Sequence, residues 1–362
     1  MKEHLLKIKK ILREKDADAF WLANLEKSGQ PGTQYLSGFT GSDSHLVVTK
    51  NNATLLTDGR YLKTAKIEVG EIEVIDVGKL TFGDFIKVNL SKKSLKKILI
   101  DGSLTSFSSV EKIKEKISDI EIINNNDLLK EIRRIKTQEE IKLLQKAAEI
   151  SCLAFKKLLP FIKVGVSEIY LAKKLESLLF ECGAEGLAFN PIIASGKNGA
   201  LPHATPSEKK LEKGELVVID FGASYKSYVS DMTRTIAVGK ISPTLTKIYN
   251  SVLEAQESGC KIIRSGIQAS DVDKVCRKIL TKHDLEKYFI HSTGHGIGME
   301  VHELPSISSN ASSKLKTGEV ITCEPGVYIN DLGGVRIEDS LIVTKNGSLN
   351  LTNNVEKKLI VM

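Results

Sequence analysis

The sequence predicts two consecutive domains, an amino-terminal α/β domain and a larger domain of the α+β class. The chain has 362 residues, more than one ordinary core accommodates. Strand-like and helix-like patterns alternate through residues 1–130, which is typical of α/β domains. In residues 131–362 two long helical patterns come first, and strands and glycines then dominate. These observations place the domain boundary at 130/131, within a polar stretch.

The first domain is expected to begin with an amphipathic helix over residues 2–15, where leucine and isoleucine recur at helical spacing. Apolar runs rich in branched residues then predict strands, and Asn51-Asn52 predicts a turn between two of them. The predicted strands cover 18–24, 45–49, 53–61, 71–77 and 97–102. Helices are predicted near 81–90 and 106–118.

The second domain is expected to begin with a capped helix. Thr137 is a suitable N-cap residue, and Glu140 stands three residues later, the spacing of a capping box. The helical patterns of this domain cover 137–159, 167–183, 244–264 and 270–283.

Composition and charge exclude several classes of protein. The formal charge of +7 comes mostly from dispersed lysines, and the few arginines form no dense patch, so no nucleic-acid partner is expected. No apolar run approaches about 18 residues, and the first residues lack the apolar core of a signal peptide, so no membrane association is expected. The five cysteines form no CxxC pair, which is typical of a reduced, cytoplasmic protein.

Four acids and one histidine in the second domain are candidate metal ligands. Residues 216–238 predict a hairpin with two of the acids on facing strands, and the others lie in apolar runs punctuated by glycine or proline. Four carboxylates in one site would repel each other strongly, and two divalent cations would neutralise them. The five candidates are Asp220, Asp231, His295, Glu324 and Glu338.

The types of ligand indicate both the metal and the reaction. Oxygen donors with a single imidazole differ from the thiolate-rich sites of structural zinc and suit Mn²⁺, with Co²⁺, Fe²⁺ or Zn²⁺ as alternatives. Two ions about 3.5–4 Å apart can lower the pKa of a shared water and polarise a carbonyl group. The sequence therefore predicts a hydrolase with two divalent ions per chain, Mn²⁺ being the first choice.

Other catalytic motifs are not supported. HSTGH lacks the glutamate of HExxH, and glycines at 294, 296 and 298 disfavour the helix of a zincin site. The same glycines lack the spacing and context of a dinucleotide-binding loop. Ser292 has no GxSxG motif around it, which argues against a serine hydrolase.

Several segments carry a resemblance to a known family. In the second domain they are PHATPSEKKLEKGELVVIDFGASYKSYVSDMTRT, HSTGHGIGMEVHE, ITCEPGVYI and GGVRIEDSLIVT. Together they resemble the metallopeptidases of the pita-bread fold, in particular Xaa-Pro aminopeptidases and Xaa-Pro dipeptidases. YLSGFTGS and LLTDGRY are similar to the smaller domain of that family. The resemblance implies a creatinase-like α/β domain at 1–130 and a pita-bread catalytic domain at 131–362.

The resemblance implies a role for each candidate ligand. All five positions match the metal ligands of the family, and Asp231 and Glu338 are expected to bridge two ions. Glu324 is expected to take a proton from the attacking water and pass it to the leaving nitrogen. A complete ligand set argues against relatives that have lost the metals.

The resemblance also implies which residues surround the substrate. His203 and His302 match the two outer histidines of the family, which hold the peptide and stabilise the oxyanion. His291, Arg336 and Phe189 match walls of a proline pocket, with Arg336 also counted among the catalytic residues. Phe189 stands where the family usually has a tyrosine.

The expected substrate has a particular chemistry. An Xaa-Pro bond lacks an amide N–H and proline has a fixed φ, so its hydrolysis needs a dedicated site. The expected function is an Xaa-Pro aminopeptidase that acts on short peptides with proline at the second position and forms a homodimer. The alternatives are an Xaa-Pro dipeptidase, a methionine aminopeptidase and a non-catalytic peptide-binding protein of the same fold.

The choice of aminopeptidase depends on charge as well as on the FTGS and TDGRY strings. A dipeptidase needs a cation for the free carboxylate of proline. Arg336 is the obvious candidate within the matched segments, but the neighbouring Glu338 and Asp339 are expected to attract its charge. Arg60 or a lysine of the first domain is the alternative source of such a cation.

Overall fold

The structure, a computed structural model, describes residues 3–26, 28, 30–78, 82–85, 95–116 and 120–362. Its contacts divide the chain into two compact units, one ending at Ile132 and the other beginning at Arg133. No helix of the described residues is long and apolar enough to cross a membrane. Parts of three helix predictions, at 2, 81, 86–90 and 117–118, lie outside the described residues.

The first unit contains a mixed sheet of short strands and several helices. Its described strands are β1 (Ala19–Asn24), β2 (Ser44–Thr49), β3 (Ala53–Thr57), β4 (Glu73–Asp76), β5 (Lys97–Ile100) and β6 (Glu121–Asn124). Its described helices are α1 (Glu3–Glu14), α2 (Gly32–Ser37), α3 (Leu62–Glu68), α4 (Phe82–Phe85), α5 (Phe107–Lys116) and, at the boundary, α6 (Leu128–Arg134). The strand order is β4-β3-β2-β1-β5-β6, in which β2 is antiparallel to both neighbours and the other pairs are parallel.

The five predicted strands of this unit are all present, and β6, α2, α3 and α6 are additional. Helix α6 occupies the polar stretch that was predicted to contain the boundary. Leu128, Leu129 and Ile132 are buried while Glu131 is exposed, so the helix has one apolar face. Helix α6 has only about two helical turns, which is too short for its apolar periodicity to be recognised within a polar stretch.

Trp21 in β1 and His45 in β2 form a polar contact within the sheet of the first unit. The indole N–H donates to Nδ1 of His45 at 3.2 Å, and the two rings are stacked with centroids 5.9 Å apart. Nδ1 accepts this bond only while it carries no proton. Burial lowers the pKa of His45 to about 4.

Acid is expected to destabilise the protein through His45. The folded-state pKa of about 4 lies below the ordinary value of 6.5, so between these pH values the unfolded chain binds more protons and stability falls as pH falls. The shift corresponds to ~3 kcal/mol. Trp21 is the single tryptophan of the chain, so its fluorescence reports on His45.

The measurement is a fluorescence titration of the folded protein, with circular dichroism recorded alongside to detect unfolding. A transition near pH 4 is expected in the wild type and none in His45→Gln, which keeps a side-chain acceptor. A wild-type transition near pH 6.5 would contradict the buried, neutral state of His45.

The second unit has more and shorter strands around two pairs of helices. Its strands are β7 (Gly186–Leu187), β8 (Ile192–Ser195), β9 (Leu216–Phe221), β10 (Ala223–Tyr225), β11 (Tyr228–Val229), β12 (Met232–Ala237), β13 (Gly294–Gly296), β14 (Glu303–Ile307), β15 (Val320–Cys323), β16 (Gly326–Ile329), β17 (Gly333–Arg336), β18 (Asp339–Val343) and β19 (Ser348–Asn350). Its helices are α7 (Gln138–Leu158), α8 (Glu168–Glu181), α9 (Pro243–Ile262) and α10 (Ala269–Lys282), with 3₁₀ turns at Leu159–Phe161, Gly196–Ala200 and Glu286–Tyr288. The sheets have the orders β12-β9-β8, β14-β13-β15-β18-β19, β16-β17 and β11-β10-β7.

Side-chain caps fix where the long helices begin. Thr137 Oγ1 accepts from the N–H of Glu140 at 3.3 Å, and the Glu140 carboxylate accepts from the N–H of Thr137 at 2.8 Å, so the predicted capping box is confirmed. Ser167 caps α8, and Ser242 caps α9 ahead of a proline at the first helical position.

Two apolar cores hold the second unit together. One packs α7 and α8 against β9 and β12, through buried side chains such as Phe155, Leu175 and Phe221. The other packs α9 and α10 against β15, β17 and β18. Leu216 of β9 and Ala237 of β12 belong to the second core, so these two strands contribute to both cores. The same strands carry candidate ligands.

Candidate metal centre and substrate site

Strands β9 and β12 bring the two candidate aspartates together. Asp220 lies one residue before the end of β9, and Asp231 immediately precedes β12. The strands pair antiparallel with Asp220 opposite Thr233, so the two predicted strands do face each other. A smaller hairpin, β10 with β11, forms the tip, where Lys226 and Ser227 have φ of 48° and 65°.

The other three candidates come from strands that follow in the chain. His295 is the central residue of β13, Glu324 directly follows β15, and Glu338 lies between β17 and β18. The N–H of Glu338 donates to the carbonyl of Thr233 at 3.1 Å, which fixes Glu338 beside β12. The N–H of Glu324 donates to the carbonyl of Thr293 at 2.8 Å, close to His295 in the sequence.

The structure brings these side chains together. One ligand atom from each of Asp231, His295 and Glu338 lies within 4.8 Å of the others. Nε2 of His295 lies 3.2 Å from Oε1 of Glu324 and 3.7 Å from Oδ2 of Asp231. Burial and then the charge of Asp220 raise the pKa of Asp231 well above its ordinary value, which places Asp220 in the same group.

The electrostatics of this group favour cations. Burial and then the charge of Asp231 raise the pKa of Glu338 well above its ordinary value. Burial alone would lower the pKa of His295, but its hydrogen bond to Glu324 and the charge of that carboxylate outweigh burial and raise the pKa to about 9. Burial would raise the pKa of Glu324, but the same contact with His295 prevails and lowers it. Positive charge is therefore strongly stabilised here.

The donor atoms fit divalent metal ions. Oδ1 of Asp220 and Oε1 of Glu338 are buried and have no hydrogen-bond partner among the described residues, which is costly for carboxylate oxygens unless a cation binds them. Nδ1 of His295 lies 3.1 Å from the carbonyl oxygen of Gly296 and donates to it, which leaves Nε2 facing the acids. The five predicted residues would hold the ions. The role of each residue, including the bridging role of Asp231 and Glu338, stays a prediction.

Two threonines that the sequence analysis did not single out orient the acids. Thr233 Oγ1 donates to Oε2 of Glu338 at 2.7 Å, and Thr322 Oγ1 donates to Oε1 of Glu324 at 3.1 Å. Thr233 stands two residues after Asp231, and Thr322 two residues before Glu324. Side chains two residues apart in a strand share a face, so this spacing is the signal by which sequence reasoning could have found them.

Arg336 is engaged with the acid group. Its Nη2 forms an ion pair with Asp220, and its Nη1 donates to Oη of Tyr328 at 2.7 Å. Its Nε donates to Oγ1 of Thr233 at 3.1 Å, and Nη1 also lies 3.3 Å from the carbonyl oxygen of Pro202. A buried guanidinium with these partners is held in one orientation.

The partner of Arg336 differs from the one expected. Glu338 and Asp339 were expected to attract its charge, whereas the ion pair forms with Asp220 on β9. Asp339 instead pairs with Arg234 Nη2 at 2.8 Å. Asp339, the first residue of β18, is bound by Arg234, whereas strand β9 brings Asp220 to Arg336. The expected direction, toward the acids, is correct, and the expected partners were wrong.

Tyr328 connects Arg336 to His291 and was not among the predicted site residues. Nδ1 of His291 donates to the carbonyl of Ser292 at 2.7 Å, so Nε2, 2.9 Å from the Tyr328 hydroxyl, accepts from it. Burial raises the pKa of Tyr328 to about 12, and burial lowers the pKa of His291. The phenol therefore stays protonated and the imidazole neutral. Tyr328 and Gly326 lie two residues apart in the apolar run after Glu324. This pattern does not predict a contact of Tyr328 with Arg336 or His291.

The remaining predicted residues lie at different depths. The ring of His302 is 4.4 Å from the ring of His295, centroid to centroid. Burial and then the charge of His295 lower the pKa of His302. His203 is exposed and follows Pro202, whose carbonyl oxygen lies 3.3 Å from Nη1 of Arg336. Phe189 is half-buried between β7 and β8, and its place in a pocket wall stays a prediction.

The fold and the site together define a metal-dependent hydrolase, and comparison with known proteins gives the family. Residues 142–345 match the model of metallopeptidase family M24, and residues 4–135 match the creatinase/prolidase N-terminal domain. The chain therefore belongs to metallopeptidase family M24, with the pita-bread fold of its structural neighbours, and is a hydrolase of the Xaa-Pro peptidase group.

Three relatives illustrate the similarity. The Xaa-Pro dipeptidase of Pyrococcus furiosus is 40% identical over 361 residues, covering 99% of this chain and 100% of the relative. The structure of an Xaa-Pro dipeptidase from Bacillus anthracis has a TM-score of 0.93 at 38% identity, covering 99% of both chains. The structure of an X-Pro aminopeptidase from Thermotoga maritima has a TM-score of 0.91 at 36% identity, covering 98% of this chain and 100% of the other.

Metal binding is expected to release protons and to strengthen as pH rises. Asp231, Glu338 and His295 have raised pKa values and must lose their protons to ligate a metal. Calorimetric titration with Mn²⁺ in buffers of different ionisation enthalpy measures the number of protons released.

Two variants make this measurement specific. Glu338→Gln keeps the shape of the side chain and is expected to bind Mn²⁺ more weakly and to release fewer protons. Glu257→Gln, at an exposed position of α9, is the control and should behave as the wild type. Equal affinity and proton release in both variants would remove Glu338 from the metal centre.

Proposed function

We propose that this chain is an Xaa-Pro aminopeptidase that uses two divalent ions to remove the residue before proline from short peptides. The observation that carries the proposal is the group of acids around His295, in which buried oxygens of Asp220 and Glu338 have no hydrogen-bond partner among the residues that the structure describes. The relatives named as Xaa-Pro peptidases support the substrate class. Mn²⁺ is the first choice of metal, with Co²⁺, Fe²⁺ or Zn²⁺ as alternatives.

The metal site supplies the electrophilic part of the chemistry. Divalent ions held by the five side chains would polarise the scissile carbonyl and acidify water. The residues that would hold them are Asp220, Asp231, His295, Glu324 and Glu338. Thr233 and Thr322 fix the carboxylates of Glu338 and Glu324, so the acids are oriented before substrate binds.

Glu324 performs the proton transfer. Its Oε1 accepts from Thr322 and lies 3.2 Å from Nε2 of His295, so the carboxylate is held beside the other ligands. The carboxylate takes a proton from the attacking water and delivers it to the prolyl nitrogen as the C–N bond breaks. Because this nitrogen carries no hydrogen in the substrate, the delivered proton is needed to make it a stable secondary amine.

His302 and His203 stabilise the charge that develops on the carbonyl oxygen. The ring of His302 lies beside that of His295, and Pro202, the residue before His203, has its carbonyl oxygen 3.3 Å from Nη1 of Arg336. N–H donors placed before reaction favour the oxyanion over the ground-state carbonyl. Both histidines are outside the group of metal ligands in this proposal.

The wall for the proline ring is formed by His291 and Tyr328. The two rings lie 5.4 Å apart, centroid to centroid, and their polar atoms satisfy each other through the bond between Nε2 and the hydroxyl. The two rings therefore offer apolar surface to the proline ring. Proline has no N–H to donate, and the bonded pair leaves no unsatisfied donor or acceptor facing it. Phe189 is proposed as a further wall.

The contacts of Arg336 favour an aminopeptidase over a dipeptidase. A dipeptidase must bind the free carboxylate of proline with a cation. The guanidinium of Arg336 is engaged with Asp220 and Tyr328, and Arg60 is paired with Asp58 at 2.9 Å and with Glu26 at 3.1 Å. Xaa-Pro dipeptidase is the alternative, because closely similar relatives carry that name.

Alanine variants are expected to separate transition-state donors from metal ligands. His302→Ala should lower kcat by about 10²–10³-fold with unchanged metal content, the typical cost of one oxyanion donor. His295→Ala should lose metal. Metal analysis by mass spectrometry and steady-state rates on the same preparations measure both effects, and equal metal depletion in the two variants would refute the division.

Peptide length is expected to decide between the two activities. Ala-Pro-Ala should be cleaved with a kcat/KM at least equal to that of Ala-Pro, because the two candidate cations for the proline carboxylate, Arg336 and Arg60, are already paired with acids. The amide Ala-Pro-NH₂ is the matched control and should also be cleaved. Hydrolysis restricted to Ala-Pro, and abolished by amidation, would make the protein a dipeptidase.

A further inference from the structure

The segment 289–293 carries His291 and lies outside the sheets. It follows the 3₁₀ turn Glu286–Tyr288 and ends immediately before β13 begins at Gly294. A segment in this position lacks the ladder of main-chain bonds that fixes a strand. Side chains of helix α10 bind it instead.

Arg277 of α10 holds two carbonyl groups of this segment. Its Nη2 donates to the carbonyl of His291 at 2.8 Å, and its Nη1 donates to the carbonyl of Phe289 at 3.1 Å. Its guanidinium carbon also lies 4.4 Å from the centre of the Phe289 ring. Both bonds come from one rigid planar group, so the two carbonyls are fixed relative to each other.

Asp273 of α10 holds Arg277 and the far end of the segment. Arg277 Nε donates to Oδ2 of Asp273 at 2.8 Å, and Thr293 Oγ1 donates to Oδ1 at 2.8 Å. Asp273 is fully buried, so its bond with Thr293 is made away from water, where it is strongest, while the Arg277 side chain is 25% exposed. The carbonyl of Thr293 in turn accepts from the N–H of Glu324 at 2.8 Å.

The direction of the His291 ring depends on these contacts. The carbonyl that Arg277 holds belongs to His291 itself, and the ring nitrogen Nδ1 is bonded to the next carbonyl, that of Ser292. Nε2 then meets the Tyr328 hydroxyl at 2.9 Å. A small rotation of the main chain at this residue would carry Nε2 out of reach of Tyr328.

We propose that Arg277, oriented by Asp273, is a positioning residue that fixes His291 and thereby determines how strongly the enzyme prefers proline after the scissile bond. The identification of His291 as a wall for proline rests on the proposed function. The placement of the His291 ring by Arg277 does not, and it is measured separately.

Three variants test the role of Arg277. Arg277→Gln removes the charge and the planar pair of donors. Arg277→Lys keeps a charge for Asp273 but lacks the two-pronged donation to the carbonyls of Phe289 and His291. Lys274→Gln is the control on the same helix, since Lys274 is 66% exposed and pairs with Asp271.

Two kinds of measurement are made, the kinetic one on Mn²⁺-loaded proteins and the NMR one on Zn²⁺-loaded proteins, because Zn²⁺ is diamagnetic and does not broaden the ring signals of nearby histidines. The first is kcat and KM for Ala-Pro-Ala and Ala-Ala-Ala, with metal content and thermal unfolding recorded for each variant. The second is the NMR spectrum of ring-labelled histidine, in which the His291 signal among seven is assigned with His291→Gln.

In both Arg277 variants the preference for Ala-Pro-Ala over Ala-Ala-Ala, measured as the ratio of their kcat/KM values, should fall about tenfold, mainly through KM. Metal content should be unchanged. The reason is that a small misplacement of the His291 ring weakens the pocket for proline. The His291 signal should shift in both. Arg277→Lys should recover thermal stability relative to Arg277→Gln without recovering the preference, and Lys274→Gln should match the wild type.

Recovery of the preference together with stability in Arg277→Lys would show that the charge pair merely supports the fold, and the proposal would be wrong. An unshifted His291 signal in Arg277→Gln would refute it as well. If the wild type shows no preference for proline, the proposed function fails, and the His291 signal alone decides whether Arg277 places the ring.

Discussion

The repulsion among four clustered carboxylates, two buried and two partly buried, is the constraint on which the rest of the second unit depends. Burial raises the pKa of Asp220, Asp231 and Glu338, and the charges of neighbouring carboxylates raise each of these pKa values further. Two cationic side chains, Arg336 and His295, reduce the repulsion through contacts with Asp220 and Glu324. Such a group is retained in a fold at a cost in stability, which is the usual condition of a site that binds cations.

A second ion network binds Asp339, the acid that follows Glu338 in the chain, away from the candidate metal ligands. Asp339 follows Glu338 in the chain but is bound by Arg234 at 2.8 Å and by Gln256 at 3.0 Å on the opposite side of the strand. Arg234 also donates to the carbonyl oxygen of Glu338. The burial that would raise the pKa of Asp339 is outweighed by the charges of Arg234 and Lys357, and its pKa is lowered. One arginine thus neutralises a fifth carboxylate and orients the main chain of a candidate ligand.

The sequence revealed the strands and helices better than it revealed the contacts between distant segments. The capping box at Thr137 and Glu140 depends on neighbours in the chain, and it was predicted correctly. The partner of Arg336 depends on the register of β9 against β12 and on the placement of β17, so the acids nearest in sequence were the wrong choice.

The missed site residue Tyr328 shows the same limit. A tyrosine in an apolar run is consistent with ordinary core packing, and nothing in its neighbours indicates an arginine on one side and a histidine on the other. The five candidate ligands were recognisable from their residue types and from the motifs that resemble the family. The hydrogen bonds of Thr233 and Thr322 to two of them became visible only in the folded chain.

Arg336 joins the acid group to the proposed substrate pocket. It pairs with Asp220 on one side and donates to the Tyr328 hydroxyl on the other, and that hydroxyl donates to His291. Because Tyr328 has a pKa raised to about 12, the hydroxyl remains a donor and the chain of bonds keeps one direction. A guanidinium used in this way stabilises the carboxylates and orients the pocket wall at once, and it has little left to offer a substrate carboxylate. In the proposed function, the ion pair between Arg336 and Asp220 that reduces the repulsion among the acids is therefore also the contact that favours peptides continuing beyond proline.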